Sequence, residues 1–311
     1  MNYILGIDYG GTKTDCVIAN FEPKILSSVT TKGGNLLKIG FEKAALNILS
    51  AIKKCIENTN IKYEDVDFVL IGSAGAGRKE NSDKLLNELK RITDFKNIKV
   101  TTDAHIALEG AFSGKPGCIL IAGTGSIIYG KDKEGKLYRV GGFGSLIGDQ
   151  GGGYSIGRKG LIAVAKQLDE MGNNTKITDL VCDKFNIENK EDLISKVYEN
   201  QIFISEIAVL VLDAAQSDDE TAITILNEEL DELIEQISAM KKKLNDEKFN
   251  LAFTGSLIQN KNYYSNLLRE KIKEKLSFVE VTEAENPPAF GAILLAKKNL
   301  RMLNEFRSIK S

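Results

Sequence analysis

The chain has 311 residues, a formal net charge of −2, and 42% hydrophobic and 27% charged residues. This length allows two domains, and the composition is ordinary for a protein that folds around a buried core. The near-neutral charge argues against nucleic acid or an anionic membrane surface as a partner. No segment approaches the roughly 20 apolar residues of a membrane span, and Asp8 interrupts the N-terminal apolar run, so we expect a cytoplasmic protein.

The cysteines and the histidine argue against disulfide and zinc chemistry. Cys16, Cys55, Cys118 and Cys182 are scattered without a C-x-x-C pair, in apolar stretches where cysteine behaves as a small hydrophobe. His105 is the single histidine, and we interpret it as a surface or boundary residue of a helix. One histidine without clustered cysteines does not support a zinc site, and no G-x-S-x-G motif supports a serine hydrolase.

The first part of the chain is predicted to follow a βββαβαβα order. Three strands occupy the stretch from Tyr3 to about Lys32, and apolar residues at helical spacing predict a helix over Phe41–Asn58. The elements predicted after them are a strand over Val66–Gly72, a helix over Ser82–Ile92, a strand over Ile98–Thr102 and a helix over Ala104–Phe112. The stretch Gly114–Gly117 is the best hinge candidate, because Gly and Pro interrupt both neighbouring elements.

The second part restarts with strands and a glycine-rich stretch. The predicted elements are strands over Cys118–Ile121, Ser126–Gly130 and Lys136–Gly141, a helix that ends near Leu168, helices through 176–244, strands over Asn250–Thr254 and Ser277–Val281, and a last helix from about Pro288. The charged runs Glu228–Glu232 and Met240–Lys243 are interpreted as solvated helix faces. We therefore predict a duplicated α/β fold. Its lobes are 1–115, completed by 295–311, and 116–294 with a helical insertion near 176–244.

A Gly/Thr turn between two apolar strands occurs at matched places in both halves. The residues of the two copies, with the carboxylate that precedes the first, are Asp8, Gly10, Gly11, Thr12, Lys13 and Thr14, then Gly123, Thr124, Gly125 and Ser126. Glycine permits a positive φ and lets backbone N–H groups approach a ligand, and the hydroxyls add donors. One copy alone would indicate only a tight hairpin, whereas two copies favour phosphate binding.

Two other residues in this first motif suggest a cation and a charge at the phosphates. A carboxylate such as Asp8 beside a phosphate site makes sense chiefly if Mg²⁺ lies between them, usually through water. Lys13 would add a positive charge near the transferred group.

The segment Leu70–Lys79 also resembles a phosphate-binding loop, but Arg78 stands where the Walker pattern requires Lys. We predict that this segment only lines the site.

Two aspartates leave more than one role open. Asp103 follows a predicted strand, so it either caps the next helix or takes the hydroxyl proton during phosphoryl transfer to an alcohol. The position of Asp103 also fits the proton-transfer role, since α/β folds bind ligands at the carboxyl ends of strands. Asp149 lies on a glycine-rich loop, where it either forms a turn or pairs with sugar hydroxyls.

Six short motifs in this order resemble the BadF/BadG/BcrA/BcrD-type ATPase family, in its N-acetylglucosamine kinase branch. The motifs are Asp8–Thr14, Thr101–Ala104, Gly123–Ser126, Gly141–Gly144, Gly148–Gly151 and Thr254–Ser256. The resemblance covers nearly the whole chain. It implies the duplicated actin/hexokinase-like, ribonuclease H-like ATPase fold, an α/β architecture of two lobes with a nucleotide cleft between them.

The resemblance also implies roles for individual residues. Gly10–Thr14 and Gly123–Ser126 match the two phosphate loops, Gly255 and Ser256 match the adenosine-side loop, and Asp103 matches the catalytic base. The residues matched to the sugar side are Asn35, Asp103, Thr124, Gly142, Phe143, Asp149 and Gly153. Phe143 and Gln150 stand where animal relatives carry Trp and Glu, which leaves the choice of sugar open.

The implied activity is ATP- and Mg²⁺-dependent phosphorylation of the 6-hydroxyl of an N-acetylhexosamine. N-acetylglucosamine, N-acetylmuramate or both would be substrates in amino-sugar or cell-wall salvage, with Arg78 and Arg158 as candidate partners for the muramate carboxylate. The family suggests a homodimer. Iron–sulfur members of the family need ligating thiolates, but Cys118 lies inside a predicted strand and the other three cysteines have no matching spacing. The alternatives are a glucosamine or glucose kinase and a sugar or nucleotide sensor, which would not need Asp103.

Overall fold

The computed structural model describes residues 3–310, and their side chains except at 304 and 306–310. The chain divides into two compact units, Met1–Gly117 with Glu283–Ser311 and Cys118–Thr282. The last helix, Pro288–Lys310, belongs from its first turn to the first unit. The boundary expected near residue 295 therefore falls inside a helix.

Each unit contains one five-stranded sheet with the same strand order. The strands are β1 (Tyr3–Tyr9), β2 (Lys13–Asn20), β3 (Ile25–Lys32), β4 (Val66–Ser73), β5 (Ile98–Thr102), β6 (Gly117–Ala122), β7 (Ser126–Lys131), β8 (Leu137–Gly141), β9 (Phe249–Thr254) and β10 (Val279–Thr282). The sheets run β3-β2-β1-β4-β5 and β8-β7-β6-β9-β10. In the first sheet β1, β4 and β5 are parallel and β2 is antiparallel to both neighbours. The repeated order confirms the duplicated α/β fold.

Helices follow the strands and fill the second half of the chain. They are α1 (Leu36–Ile39), α2 (Phe41–Glu57), α3 (Lys79–Ile92), α4 (Asp103–Ala111), α5 (Gly153–Leu168), α6 (Lys176–Phe185), α7 (Lys190–Tyr198), α8 (Ile204–Gln216), α9 (Glu220–Leu244), α10 (Tyr263–Lys275) and α11 (Pro288–Lys310), with a 3₁₀ turn at Tyr63–Asp65. Within residues 3–310 no helix combines the length and the apolar character that a membrane crossing requires.

The central strands β1 and β4 of the first sheet are buried on both faces, as expected for parallel strands, whereas the edge strand β3 is largely exposed. Leu5 and Ile7 pack in a cluster with residues of α2 and α3. Ile4 lies in the opposite cluster, with Ile106 of α4 and Ile293 of α11. Asp8 continues the Ile4 side of β1, because side chains alternate along a strand. This alternation directs the Asp8 carboxylate toward the face of the sheet on which α4 packs, at the end of β1.

Two predicted boundaries differ from the structure by more than one residue. Helix α3 begins at Lys79, three residues before the expected Ser82, whose hydroxyl donates to the Lys79 carbonyl inside the first turn. Strand β10 begins at Val279 rather than Ser277. The Val279 N–H donates to the Leu276 carbonyl, so the residues between them form a turn that closes α10.

Candidate functional site

The loops after the parallel strands of the first sheet lie together at one edge. Strands β1, β4 and β5 run parallel, so their carboxyl ends meet there. The Ala74 N–H after β4 donates to the Tyr9 carbonyl, at 3.1 Å, and the Gly34 N–H after β3 donates to the Gly10 carbonyl, at 3.0 Å. The structure thus joins the first glycine turn to the Leu70–Lys79 loop and to the segment before Asn35.

The first glycine turn needs glycine for close approach, not for a left-handed backbone. A Cβ on Gly33 would lie 2.4 Å from the Gly10 carbonyl oxygen, so only glycine lets β3 end against the turn. A Cβ on Gly11 would meet nothing within 4 Å. None of Gly10, Gly11, Gly123 and Gly125 has a positive φ, so the expected conformational reason for these glycines is wrong. Free space beside the backbone remains as the explanation at Gly11, whereas the corresponding space at Gly125 is filled by Asp149 Oδ2.

The side chains of the first turn divide into an exposed and a buried set. Thr12 is exposed, whereas Thr14 is fully buried and donates its hydroxyl hydrogen bond to the Lys32 carbonyl, at 3.1 Å. Lys13 Nζ lies 2.7 Å from Asp15 Oδ2. Thr14 therefore braces the turn from inside, and the ammonium group of Lys13 is held by Asp15.

Asp8 and Asp103 are two half-buried carboxylates at this edge, and the charge of Asp103 acts on Asp8. Burial, together with the charges of Asp103 and Asp15, raises the pKa of Asp8 to about 7, and nearby Lys13 offsets only part of this effect. Burial also raises the pKa of Asp103, against the lowering effect of the Ala104 N–H that Asp103 Oδ1 accepts at 2.9 Å. This edge of the sheet therefore carries more negative charge than the protein itself compensates.

Asp103 does not cap α4. The cap is Thr102, whose hydroxyl oxygen accepts the His105 N–H at 3.0 Å, and Asp103 is the first residue of the helix. A Cβ on Gly72 would lie 2.3 Å from Ile106 Cδ1, so glycine at this position lets α4 pack directly on β4. This packing holds the start of α4, with Asp103, on the face that carries Asp8.

The acidic edge suits a hard cation such as Mg²⁺, which prefers carboxylate, phosphate and water oxygens. Among residues 3–310, however, no group of three or more His, Cys, Asp or Glu side chains could hold a metal ion. A cation at Asp8 would therefore take most of its ligands from water or from a bound phosphate group.

Asn35 is placed at the same edge, but half of its amide is already used. Its Oδ1 caps α1 and accepts the N–H groups of Leu37, at 3.0 Å, and Lys38, at 3.2 Å. The residue is exposed, so Nδ2 is the part of the side chain that a ligand would meet. Arg78 precedes α3 and is exposed as well.

In the second unit, the start of α5 is docked on the second glycine turn. The Gly153 N–H donates to the Gly123 carbonyl at 2.7 Å, and the Tyr154 N–H donates to the Thr124 carbonyl at 2.8 Å. Both are N–H groups that the first turn of a helix leaves without a partner. A Cβ on Gly152 would lie 2.6 Å from the carbonyl carbon of Gly125, so glycine is required for this contact.

The hydroxyls of the second turn divide as in the first. Thr124 is exposed, whereas Ser126 is buried and donates to the Gln150 carbonyl. Ser126 Oγ also accepts the Gln236 Nε2 hydrogen bond, at 3.1 Å. In both units, therefore, one hydroxyl is exposed and the other is hydrogen-bonded to the backbone of a neighbouring segment.

Asp149 forms a turn and also faces the glycine turn. Its backbone is left-handed, with φ 63°, and its Oδ1 accepts the Gly144 N–H at 3.1 Å. A Cβ on Gly125 would lie 2.3 Å from Asp149 Oδ2. The turn-forming interpretation of Asp149 is therefore correct, and the carboxylate stands directly over Gly125.

The loop that precedes Asp149 presents an aromatic ring beside a cation. Gly142 has φ 70°, and Phe143 after it is 67% exposed. The guanidinium carbon of Arg139 lies 5.9 Å from the centroid of the Phe143 ring. Arg139 is therefore the cation beside the exposed ring, whereas the sequence pattern had indicated Arg78 and Arg158 as candidate cations.

A third glycine loop in the second unit lies against the second glycine turn. Gly255 has φ 94°, and a Cβ there would lie 2.3 Å from the Ala122 carbonyl oxygen. Its neighbour Ser256 is exposed, and a Cβ on Gly123 would lie 3.7 Å from Ser256 Oγ. Gly255 and Ser256 therefore belong to the same edge as Gly123.

Helix α9 contributes two polar residues that the charge pattern of the sequence did not predict. The run Glu228–Glu232 was expected to be solvated, but Glu229 is fully buried and accepts hydrogen bonds from the Gly151 N–H and from the Ser155 hydroxyl. The spacing of Leu226, Glu229, Leu233 and Gln236 places them on one helix face. Two polar residues on an otherwise apolar face were the signal available in the sequence.

The chain is similar to two curated sugar kinases along almost its full length. It is 32% identical over 302 residues to the N-acetylmuramic acid/N-acetylglucosamine kinase of Clostridium acetobutylicum, a match that covers 96% of this chain and 99% of that protein. It is 33% identical over 310 residues to the N-acetyl-D-glucosamine kinase of Dictyostelium discoideum, covering 94% and 97%.

Solved structures agree on the fold. A Chromobacterium violaceum structure described as a candidate N-acetylglucosamine kinase superposes with a TM-score of 0.74 at 20% identity, covering 95% of this chain and 98% of that one. The ROK family glucokinase of Streptomyces griseus, solved with glucose and AMPPNP, gives 0.58 at 16% identity, covering 95% and 99%. The sequence pattern of the BadF/BadG/BcrA/BcrD ATPase family matches residues 5–296, and the chain belongs to this family.

Proposed function

We propose that this protein is an ATP- and Mg²⁺-dependent kinase that phosphorylates the 6-hydroxyl of an N-acetylhexosamine. The observation that carries the proposal is the placement of Asp8, near the end of β1, and Asp103, at the start of α4, at the carboxyl edge of the first sheet. Membership of an ATPase family supports ATP as the phosphoryl donor. The two curated relatives, both named as amino-sugar kinases, support the acceptor.

In the proposed reaction, Asp103 acts as the general base. The 6-hydroxyl oxygen bonds to the γ-phosphorus, the bond from that phosphorus to the β-γ bridging oxygen breaks, and Asp103 takes the hydroxyl proton. A carboxylate whose pKa is raised by burial accepts this proton more readily than an ordinary aspartate does. Asp8 would hold Mg²⁺ through water, and the bound ion would supply positive charge to the phosphates.

The backbone around the glycine turns would bind the phosphate groups. The Gly11 position leaves room for a ligand beside the backbone, and Thr12 and Thr124 offer exposed hydroxyls. Gly255 and Ser256 would contact the adenosine side. Lys13 would have to leave Asp15 to reach a phosphate group, because the two side chains are paired at 2.7 Å.

We assign sugar binding to three side chains, each described within its own unit. Asn35 offers Nδ2 as a donor, Asp149 offers Oδ2 as an acceptor for sugar hydroxyls, and Phe143 offers an exposed ring. For N-acetylmuramate, Arg139 beside Phe143 is the cation that we assign to the lactyl carboxylate, in place of Arg78 or Arg158.

We further propose a cytoplasmic homodimer that serves amino-sugar or cell-wall salvage. A glucosamine kinase remains the second candidate, because the glucosamine kinase of Vibrio cholerae is 33% identical over 188 residues, 60% of this chain. The carboxylate assigned to proton transfer favours a kinase over a sensor.

The experiment that tests the proposal is ADP release from Mg-ATP against a sugar panel. The panel contains N-acetylglucosamine, N-acetylmuramate, glucosamine, glucose and no sugar. The proposal predicts turnover only with N-acetylated sugars. Turnover restricted to glucosamine would favour the second candidate, and equal ADP release across all five conditions would reject both sugar kinases.

A further inference from the structure

We propose that one face of α9, formed by Glu229, Leu233 and Gln236, positions the two loops that hold substrate in the second unit. The proposal rests on the proposed function, and it makes this face of α9 a part of the active site. Glu229 and Gln236 act as positioning residues, since they reach the backbone of the loops.

Glu229 holds the loop that follows Asp149. Its Oε2 accepts the Gly151 N–H, and its Oε1 accepts the Ser155 hydroxyl at 2.8 Å and lies 3.0 Å from Lys159 Nζ. The side chain is completely buried. A fully buried carboxylate that accepts a backbone N–H fixes the position of that N–H, because leaving either group unpaired is costly.

Leu233 and Tyr264 complete the packing around the same glycine. Gly151 has φ 81°, and a Cβ there would lie 2.3 Å from Leu233 Cδ2. The buried Tyr264 hydroxyl donates to the Gly151 carbonyl at 3.2 Å. Both backbone polar groups of Gly151 therefore have fixed partners, and the loop rests directly on the α9 face.

Gln236 links this loop to the glycine turn. Its Nε2 donates to the Gln150 carbonyl, at 3.2 Å, and to Ser126 Oγ, at 3.1 Å. Ser126 itself donates to the Gln150 carbonyl, so the three groups form a closed hydrogen-bonded set. Because Asp149 precedes Gln150 and Gly125 precedes Ser126, this set fixes the Asp149 carboxylate over Gly125.

The chain offers a matched control in the neighbouring residue. Glu228 also pairs with Lys159, at 2.8 Å, but its side chain is 57% exposed and it is hydrogen-bonded to neither loop. Glu228→Gln removes one charge next to Lys159, as Glu229→Gln does. A difference between the two variants therefore reports the loop contact and not the charge.

The test compares Glu229→Gln, Glu229→Leu, Gln236→Ala and Glu228→Gln. We expect the KM for the sugar to rise about tenfold in Gln236→Ala and Glu229→Leu, and less in Glu229→Gln, which retains an acceptor oxygen. Glu228→Gln should match the wild type. A merely structural role would lower stability or the active fraction without this ordered change in KM. If Glu229→Leu does not fold, Gln236→Ala carries the test.

Backbone hydrogen exchange separates this inference from the proposed function. Without substrate, peptides that cover residues 149–155 should exchange about tenfold faster in Glu229→Gln and Gln236→Ala than in Glu228→Gln. Wild-type exchange in folded Glu229→Gln and Gln236→Ala would overturn the positioning role, even if the enzyme is a sugar kinase. Wild-type sugar KM in both would overturn it as well. Faster exchange in a protein that phosphorylates no sugar would leave the positioning role supported and reject only the proposed function.

Discussion

Asp103 lies within electrostatic reach of Asp8, whose pKa is raised to about 7 by burial first and by the charge of Asp103 next. Two carboxylates on the same face, at the edge where the parallel strands end, repel each other unless a cation or a proton separates them. Such an arrangement lowers stability and is typical of a functional site rather than of a packing contact.

Replacing Asp103 tests its role as the base. Asp103→Asn keeps the shape of the side chain but removes the proton acceptor, so kcat should fall by about 10²- to 10⁴-fold. The KM for ATP should change by no more than about threefold, because ATP is assigned to other groups. Steady-state kinetics with N-acetylglucosamine measures both values. A folded variant with near wild-type kcat would remove Asp103 from the mechanism.

The raised pKa of Asp8 predicts an unusual pH dependence of stability. The folded pKa of about 7 lies above the ordinary value of 3.8, so between these values the folded protein binds a proton that the unfolded chain does not. The free energy of unfolding should therefore fall as pH rises from about 4 to 7, and it should stay at this lower value above pH 7.

Asp8→Asn should remove this pH-dependent loss. Without metal or nucleotide, the variant should be more stable than the wild type at pH 8 by on the order of 2–4 kcal/mol, and the difference should disappear near pH 4. Urea unfolding across this pH range provides the measurement. A stability difference that stays constant with pH would show that Asp8 titrates normally.

Two glycine substitutions near the first turn should have opposite consequences. A Cβ on Gly11 meets no protein atom within 4 Å, so Gly11→Ala should leave thermal stability unchanged and weaken ATP binding by about tenfold. A Cβ on Gly33 would lie 2.4 Å from the Gly10 carbonyl oxygen, so Gly33→Ala should lower the free energy of unfolding by about 1–3 kcal/mol. Calorimetry of unfolding and of ATP binding separates the two effects. Normal ATP affinity in Gly11→Ala would argue against a phosphate at this turn.

Arg139 should determine whether the lactyl group is accepted. Arg139→Gln should raise the KM for N-acetylmuramate about five- to tenfold and leave the KM for N-acetylglucosamine unchanged. Lys136→Gln is a suitable control, because Lys136 also lies over an aromatic ring, but that of Tyr138 and not that of Phe143. If Arg139→Gln changes the KM for both sugars equally, the assignment of Arg139 to the lactyl carboxylate is contradicted.

The fold was predictable because its signals are local. An apolar strand, a glycine turn and two further strands follow one another in both halves, and both sheets have the same strand order. Boundaries without a strong local signal were less predictable. Helix α3 starts at Lys79 after Arg78, which provides no side-chain cap, so the sequence contains no marker for that start.

The site was predictable only where a motif carried it. The motifs singled out Asp8, Asp103 and Asp149, but the roles of Thr14 and Ser126 as buried braces depend on partners distant in sequence. Glu229 was hidden for the same reason, since its partner Gly151 is 78 residues away. A charged run such as Glu228–Glu232 indicates a solvated helix surface. Only the spacing of Glu229 from Leu226 and Leu233 places it on the apolar face.

The most direct test of the central claim is to identify the product of a reaction with Mg-ATP and N-acetylglucosamine. Phosphorus–proton correlation NMR should show ADP and a single phosphate ester whose phosphorus couples to the two protons on carbon 6 of the sugar. An ester at another hydroxyl would contradict the proposed geometry of transfer. Inorganic phosphate with no sugar ester would contradict the kinase itself.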